Sequence, residues 1–285
     1  MPFDQYYAGV PPEQRQALLD FRQAHPPRTV NINDTDWTFY TMGRGSKVIL
    51  WLVGGLRMAD AACAYIPLME PYYRIVTVDY PRLDSMTALA DGLATLLSLT
   101  GINPVNILSG SFGGMLAQVF VRRYPGYVSK LVLSSTTAPD PAQAKAQNAP
   151  LAMLGMLPGV AARMLARQQM YKIMAPPPNE AAFWQAYLAE LYSERLGKPE
   201  IISTLRCVKD FNQQTFTQED LAEWKGEILV INSSDDATFT EQGQHAMKYL
   251  YPDAFFYTLQ DAGHSPASTQ PENFFGTVHE FFQRP

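Results

Sequence analysis

The sequence predicts an α/β fold in which helices flank a mostly parallel, eight-stranded sheet. Short, continuously apolar runs alternate with stretches of helical spacing, and such runs are typical of strands buried on both faces. Strand–helix alternation implies right-handed crossovers, which place successive strands parallel in one sheet. Ligands of such sheets bind beyond the carboxyl ends of the strands, so we expect a site at that edge.

Each element follows from a local pattern. Alternation around Asn33-Asp34 indicates a hairpin, continuous apolar runs indicate central strands, and helical spacing between the runs predicts the connecting helices. In order, the predicted elements are a helix over 11–25, a hairpin over 29–42, strands over 48–53, 74–78, 105–108 and 130–134, and helices over 59–70, 86–100 and 115–124.

The alternation stops over residues 138–224, where prolines are frequent and helices are predicted over 161–174 and 180–196. We expect a helical cap insertion there, over a core formed by residues 1–137 and 225–285. Methionines cluster in the insertion, and their flexible side chains suit an adaptable lining above the site as well as ordinary core filling. These methionines are Met153, Met156, Met164, Met170 and Met174.

After residue 224 the strand–helix order resumes. Residues 228–231 and 254–259 predict the last two strands, with a helix near 240–250 between them. A final amphipathic helix is predicted over 271–282, because its phenylalanines share one stripe.

Length and composition exclude several classes of protein. The chain has 285 residues, 47% of them hydrophobic, so it can bury the core of one large α/β domain. A formal net charge of -5 without a basic block argues against a nucleic-acid partner. Cys63 and Cys207 could pair, but we favour two free, mostly buried thiols in a reducing compartment. Two cysteines and four scattered histidines form no metal-ligand cluster, so we expect no metal and no cofactor.

The amino terminus lacks a basic region followed by an apolar run. The longest apolar run, residues 48–56, is too short to span a bilayer. We therefore expect a cytoplasmic protein without a membrane span, whose oligomeric state stays open.

The stretch from Leu108 to Gly114, Leu-Ser-Gly-Ser-Phe-Gly-Gly, carries the strongest functional signal. It joins a predicted strand to a predicted helix through a sharp turn with Ser111 at its apex. A nucleophile elbow requires this context, because the turn holds the serine hydroxyl above the sheet. Small residues are needed two before and two after the serine: Gly113 meets this demand, whereas Ser109 departs from the usual glycine. The alternative is a strand-to-helix loop without chemistry.

A serine hydroxyl needs a base and an orienting acid, which in this architecture follow the serine in the order acid, then histidine. Asp235 and Asp236 lie just after the strand over 228–231. We favour Asp236, four residues before Thr240, where the next helix is predicted to begin; a solvated loop or a helix cap is the alternative. His264, in a Gly/Pro loop after the last strand, is the predicted base.

The oxygen anion that develops during acyl transfer needs two hydrogen-bond donors. The backbone N–H of Phe112, directly after the serine, is the first predicted donor. The second is expected from Gly54-Gly55-Leu56, after the first buried strand, where glycines permit close approach. We favour the N–H of Leu56 over that of Gly55.

Together these motifs resemble the α/β-hydrolase superfamily over nearly all of residues 28–283. The departures are Val53-Gly54-Gly55 in place of a frequent His-Gly pair, and Ser109 in the elbow; neither removes a catalytic atom. The resemblance implies an α/β-hydrolase fold and hydrolysis by a Ser-Asp-His triad.

Three segments also resemble the maspardin family. They are 73–76 with 79–81, 111–114 running into 116–118, and 247–252. That family is generally regarded as having lost the catalytic histidine and as acting through protein partners, whereas Gly263-His264 is intact here. The maspardin-type alignment also puts its acid opposite Asp235.

The sequence therefore predicts a serine hydrolase of the carboxylesterase or thioesterase type. Its substrate would be a small acyl compound, cleaved at an ester-type bond through an acyl-enzyme. One alternative is a non-catalytic interaction module of the maspardin kind, and another is a carbon–carbon bond hydrolase or lyase with the same triad. An elbow serine disfavours haloalkane dehalogenases and epoxide hydrolases, which use an aspartate there.

Overall fold

The structure is a computed structural model that describes residues 2–238 and 241–285. Within these residues, eight strands form a single sheet. The strands are β1 (Arg28–Ile32), β2 (Thr35–Met42), β3 (Lys47–Leu52), β4 (Tyr73–Asp79), β5 (Val105–Gly110), β6 (Val128–Ser134), β7 (Glu227–Ser233) and β8 (Phe255–Leu259). Their order is β1-β2-β4-β3-β5-β6-β7-β8, and all pairs from β4 to β8 are parallel. The predicted fold class is confirmed.

Helices cover the sheet on both sides and follow the strands in chain order. Before β1 lie α1 (Phe3–Tyr6) and α2 (Pro12–Ala24). Between β3 and β6 lie α3 (Ile66–Met69), α4 (Met86–Thr100) and α5 (Phe112–Arg123). Between β6 and β7 lie α6 (Pro141–Ala146), α7 (Asn148–Met156), α8 (Gly159–Met174), α9 (Ala181–Glu190) and α10 (Lys198–Asn212). The last three are α11 (Glu241–Leu250), α12 (Pro266–Thr269) and α13 (Pro271–Gln283).

The register of the central strands positions the site. Leu52 at the end of β3 pairs with Ser109 of β5, and Gly110 pairs with Ser134 at the end of β6. Side chains of β3, β5 and β6 are largely buried, as expected for strands covered on both faces. The carboxyl ends of three strands therefore meet at one edge, where the elbow begins.

Two sequence expectations differ from the structure near this edge. Residues 59–70 do not form one helix, because the chain makes a 3-10 turn over Ala59–Ala62 and then a short α3 that begins beside Pro67. Proline has no N–H to donate and fits only the first turn of a helix, so it interrupts the predicted run. The helix after the elbow begins at Phe112 rather than at residue 115, and Thr240 lies outside the described residues.

All of the residues between β6 and β7 are described, and they form helices without a strand. The predicted helix over 161–174 corresponds to α8. The one predicted over 180–196 corresponds to α9 and a π-helical turn over Leu191–Arg195. The division of the chain into a core and a cap at 138–224 stays a prediction.

A buried cluster of charges connects α2, the 3-10 turn and α9. Asp60 accepts hydrogen bonds from Arg22 at 2.9 Å, Arg195 at 2.7 Å and the Tyr187 hydroxyl at 2.6 Å, and Arg22 also binds Glu190. Burial raises the pKa of Asp60, but the two guanidiniums and the tyrosine hydroxyl outweigh it, so the pKa lies below its usual value. Asp60 is therefore held as a carboxylate between parts of the chain far apart in sequence.

Cys63 and Cys207 are both buried and free, as expected. Burial raises the pKa of each thiol to about 12. No helix within 2–238 or 241–285 has the length and apolar character needed to cross a bilayer.

Candidate active site

Ser111 occupies the turn between β5 and α5 with φ 51° and ψ −120°, a conformation that a serine rarely adopts. Its N–H donates to the Ser134 carbonyl at 2.9 Å, which ties the turn to β6. A Cβ on Gly113 would lie 2.2 Å from the Leu52 carbonyl oxygen, so this position accepts only glycine. The expected strained strand-to-helix turn is therefore present.

Ser109 shows why the departure from glycine is tolerated. The side chain is 2% exposed, and its Oγ donates to the Val132 carbonyl at 2.6 Å. A buried hydroxyl costs little when it is hydrogen-bonded, so the serine fits between β5 and β6.

The structure brings Ser111, His264 and Asp236 together. Nε2 of His264 lies 3.1 Å from Oγ of Ser111, and Nδ1 lies 2.9 Å from Oδ2 and 3.2 Å from Oδ1 of Asp236. The imidazole and carboxylate side chains are only 7% and 3% exposed. A proton on Nδ1 directed at the carboxylate leaves Nε2 as the acceptor for the serine hydroxyl. This arrangement can remove a proton from the serine as it attacks.

Asp235 binds elsewhere, although it adjoins Asp236. Its Oδ1 accepts from Oγ of Ser233 at 2.6 Å and from the Gly263 N–H at 2.8 Å, and these bonds lower its pKa. Oγ of Ser233 in turn accepts from the Ala262 N–H at 3.0 Å. Asp235 and Ser233 thus hold the loop that carries the histidine, a role that the sequence analysis did not assign. The one sequence signal for this role is Ser233, the small polar residue at the end of β7.

The candidate oxyanion donors lie around the same cavity as Ser111. Phe112 stands in the first turn of α5, where backbone N–H groups lack a partner within the helix. Gly55 and Leu56 also line the cavity, and a Cβ on Gly54 would lie 3.7 Å from that of Ser111. The choice of Leu56 over Gly55 stays a prediction.

The cavity above Ser111 has a volume of about 810 Å³, and its lining combines apolar and polar side chains. Tyr65 and Trp184 of the lining both donate to Glu180, and Met170 approaches Gly55. The apolar part of the lining includes Ala61, Ala62, Met170, Ile173, Met174 and Phe274.

The polar part of the lining includes Ser135, Asp140, Gln147 and Asn212. The Asp140 N–H donates to the side chain of Asn212. Oγ of Ser135 and Oε1 of Gln147 are buried and have no hydrogen-bond partner within the described part of the chain. Ser135 also has a φ of 45°, so a strained residue presents its hydroxyl at the end of β6.

The clustered methionines divide into two groups. Met170 and Met174 line the cavity, as the lining hypothesis expects. Met153, Met156 and Met164 are instead 49%, 81% and 51% exposed. For these three, both the lining hypothesis and the core-filling hypothesis are wrong.

A family model for the alpha/beta hydrolase fold matches residues 78–271 of the chain. The chain belongs to the α/β-hydrolase family. The match spans the elbow, the helices between β6 and β7, and the residues that carry Asp236 and His264. The narrower likeness to maspardin stays a prediction.

A curated relative of this α/β-hydrolase is the mouse protein described as sn-1-specific diacylglycerol lipase ABHD11. The two are 24% identical over 210 residues, which cover 69% of this chain and 65% of the relative. The chain therefore spans slightly less than two thirds of the relative's length.

Solved structures share the α/β-hydrolase fold at low sequence identity. A hydrolase from Pseudomonas aeruginosa PA01 has a TM-score of 0.77 at 16% identity, covering 91% of this chain and 99% of its own. The enol-lactonase from Burkholderia xenovorans LB400 has a TM-score of 0.74 at 14% identity, covering 90% and 100%. A thermophilic esterase from Thermogutta terrifontis has 0.72 at 19%, covering 91% and 98%. These likenesses show the fold.

Proposed function

We propose that this α/β-hydrolase is a serine hydrolase that cleaves an ester-type bond of a small acyl substrate through an acyl-enzyme. The observation that carries the proposal is the 3.1 Å distance between Oγ of Ser111 and Nε2 of His264, with Asp236 on the other side of the ring. A non-catalytic module would gain nothing from a buried imidazole held against an elbow serine. A catalytic triad needs this contact.

In the proposed reaction Oγ of Ser111 attacks the carbonyl carbon while its proton passes to Nε2 of His264. The N–H groups of Phe112 and Leu56 stabilise the resulting oxyanion. As the intermediate collapses, His264 returns the proton to the leaving alcohol or thiol, and the acyl group stays on the serine. Water then attacks the acyl-enzyme while His264 takes its proton. His264 returns the proton to Oγ of Ser111, which releases the acid and restores the serine. Asp236 orients the imidazole and stabilises its positive charge in both halves.

The mixed lining of the cavity supports an amphipathic substrate. Apolar side chains of α8 and α13 suit the acyl group, whereas Ser135 and Gln147 offer unpartnered oxygens to the polar leaving group. Among the described residues that line the cavity, none is a lysine or an arginine, so a neutral leaving group fits better than an anionic one. The descriptions of the relatives as lipase, esterase and lactonase agree with ester chemistry.

We also propose that residues 138–224 act as a cap over a hydrolase core formed by 1–137 and 225–285. Helices α6, α8, α9 and α10 of this segment all contribute side chains to the cavity, and the segments directly after β5, β7 and β8 contribute the reacting groups. Substrate choice would then depend on the cap, and the chemistry on the core.

Hydrolysis of p-nitrophenyl butyrate tests the proposal. We expect the wild type and Ser98→Ala, a control at an exposed serine of α4, to release p-nitrophenol well above background. Ser111→Ala is expected to lose at least about a thousandfold in kcat, since removal of a triad nucleophile has effects of that size. Equal rates for the wild type and Ser111→Ala would contradict the proposal.

A further inference from the structure

Residues 141–179, here called the basic segment, differ in charge from the rest of the chain. Between Asp140 and Glu180 the segment contains no aspartate or glutamate, although the chain as a whole has a net charge of -5. Its charged residues are Lys145, Arg163, Arg167 and Lys172. A wholly cationic stretch on an acidic protein is attracted to negatively charged surfaces.

The basic segment also exposes large apolar side chains. Met156 is 81% exposed, Val160 70%, Met164 51% and Met153 49%. Of the eleven exposed large hydrophobic residues found in the described chain, five lie within the thirteen residues 153–165. Along α7, Leu154 is the single buried residue. This clustering distinguishes the segment from a surface with scattered apolar residues.

Apolar and cationic side chains are interleaved along the basic segment. Arg163 follows Val160 by three residues on α8, and Arg167 follows Met164 by three, which places each pair on neighbouring turns of one face. Lys198 of α10 donates to the carbonyls of Gly155 and Leu157, both at 2.7 Å. A further ammonium therefore lies at the turn between α7 and α8 and fixes that turn to α10.

The exposed apolar residues of 153–165 lie close in sequence to residues that line the substrate cavity. Met170 and Met174, at the end of α8, line the cavity, and so do Gln143 of α6 and Gln147 just before α7. In the sequence, residues that line the cavity therefore stand on both sides of α7 and the start of α8.

We propose that the basic segment docks on an anionic lipid surface. Met153, Met156, Val160 and Met164 enter the headgroup region, and the arginine and lysine side chains contact the anionic headgroups. Surface segments that combine exposed apolar side chains with cationic ones bind anionic bilayers through both contributions. A second copy of the chain is a poorer occupant, because two segments without acidic residues repel each other. The docking goes beyond ester hydrolysis and does not depend on it.

Co-sedimentation of the full chain with vesicles tests the docking. We expect binding to vesicles of about three parts phosphatidylcholine to one part phosphatidylglycerol to exceed binding to pure phosphatidylcholine at least about tenfold. The double variant Met156→Glu/Val160→Glu is expected to lose about tenfold or more of the binding to anionic vesicles. Leu99→Glu/Tyr249→Glu, the same charge change at exposed apolar sites outside the segment, is expected to stay within about twofold of the wild type.

Two further variants separate docking from catalysis. Ser111→Ala is expected to bind anionic vesicles like the wild type, and Met156→Glu/Val160→Glu to hydrolyse soluble p-nitrophenyl butyrate like the wild type. The proposal is overturned if the folded wild type does not bind anionic vesicles, or if it binds neutral and anionic vesicles equally. It is also overturned if Met156→Glu/Val160→Glu binds anionic vesicles like the wild type. A further contradicting result is a dimeric wild type that does not bind vesicles, together with a monomeric Met156→Glu/Val160→Glu variant. That result would show that the exposed apolar residues form an interface between two copies of the chain.

Discussion

Oδ2 of Asp236 lies 2.9 Å from Nδ1 of His264, and both side chains are almost fully buried. The neighbouring Asp235 is exposed and binds the backbone of Gly263 instead. Two adjacent carboxylates therefore have separate tasks: one contacts the imidazole, and the other holds the loop on which the imidazole stands.

Replacing each carboxylate by its amide separates these tasks. Asp236→Asn is expected to lower kcat for p-nitrophenyl butyrate by about 10³–10⁴, because the imidazole loses the charge that fixes its tautomer. Asp235→Asn is expected to lower kcat about tenfold or less, since an amide oxygen can still accept from Gly263. A larger loss for Asp235→Asn than for Asp236→Asn would contradict this division.

Gly113 tests whether the elbow is as tightly packed as the structure indicates. A Cβ at this position would lie 2.2 Å from the Leu52 carbonyl, so Gly113→Ala must displace the β3 backbone. We expect a loss of about 2 kcal/mol or more in the free energy of unfolding, measured in urea. Gly126→Ala is the control, because its Cβ would have no neighbour within 4 Å. Equal stability of the two variants would show that the turn has room for a side chain.

The buried carboxylate of Asp60 predicts a pH dependence of stability. Its pKa is lower in the folded state than the unfolded value of about 3.9, so the stabilisation is present above that value and disappears as the pH falls through the folded pKa. The Tm of the wild type should therefore fall more steeply below about pH 4 than the Tm of Asp60→Asn.

At neutral pH Asp60→Asn should lose about 2–3 kcal/mol, because Arg22 and Arg195 lose the carboxylate that they share, although Arg22 keeps Glu190 and Arg195 keeps Asp79. Asp84→Asn breaks the half-exposed pair with Arg206 and should cost less than about 1 kcal/mol. Parallel acid profiles for the wild type and Asp60→Asn would contradict the pKa assignment.

The two thiols should be inert in the folded protein. With a pKa raised to about 12 by burial, each of Cys63 and Cys207 is a thiolate in roughly one molecule in ten thousand at pH 8. We expect Ellman's reagent to react with both only after unfolding, with the rate measured at 412 nm against the urea-unfolded chain as the control. Rapid reaction of either thiol in the native protein would show that its burial is incomplete.

The sheet and the elbow were predictable because their signals are local. Continuous apolar runs identify central strands, and the residue types around Ser111 are dictated by one tight turn. The prediction of one helix over 59–70 was wrong, because Pro67 has no N–H to donate and fits only the first turn of a new helix.

Other features depend on contacts between distant parts of the chain. The hydrogen bond from the Gly263 N–H to Asp235 joins residues that are 28 positions apart. The strained Ser135 and the exposure of Met156 likewise depend on how the chain packs. No periodicity in the sequence encodes such contacts, so the sequence predicted Ser111, Asp236 and His264 but not the groups that surround them.

Covalent labelling with a fluorophosphonate tests the central claim most directly, because the probe reacts with an activated serine and needs no knowledge of the substrate. The account predicts one adduct per folded chain, located by peptide mass analysis on Ser111, and no adduct on Ser111→Ala or on the urea-unfolded wild type. A folded wild type that stays unlabelled, or an adduct on a different serine, would contradict it.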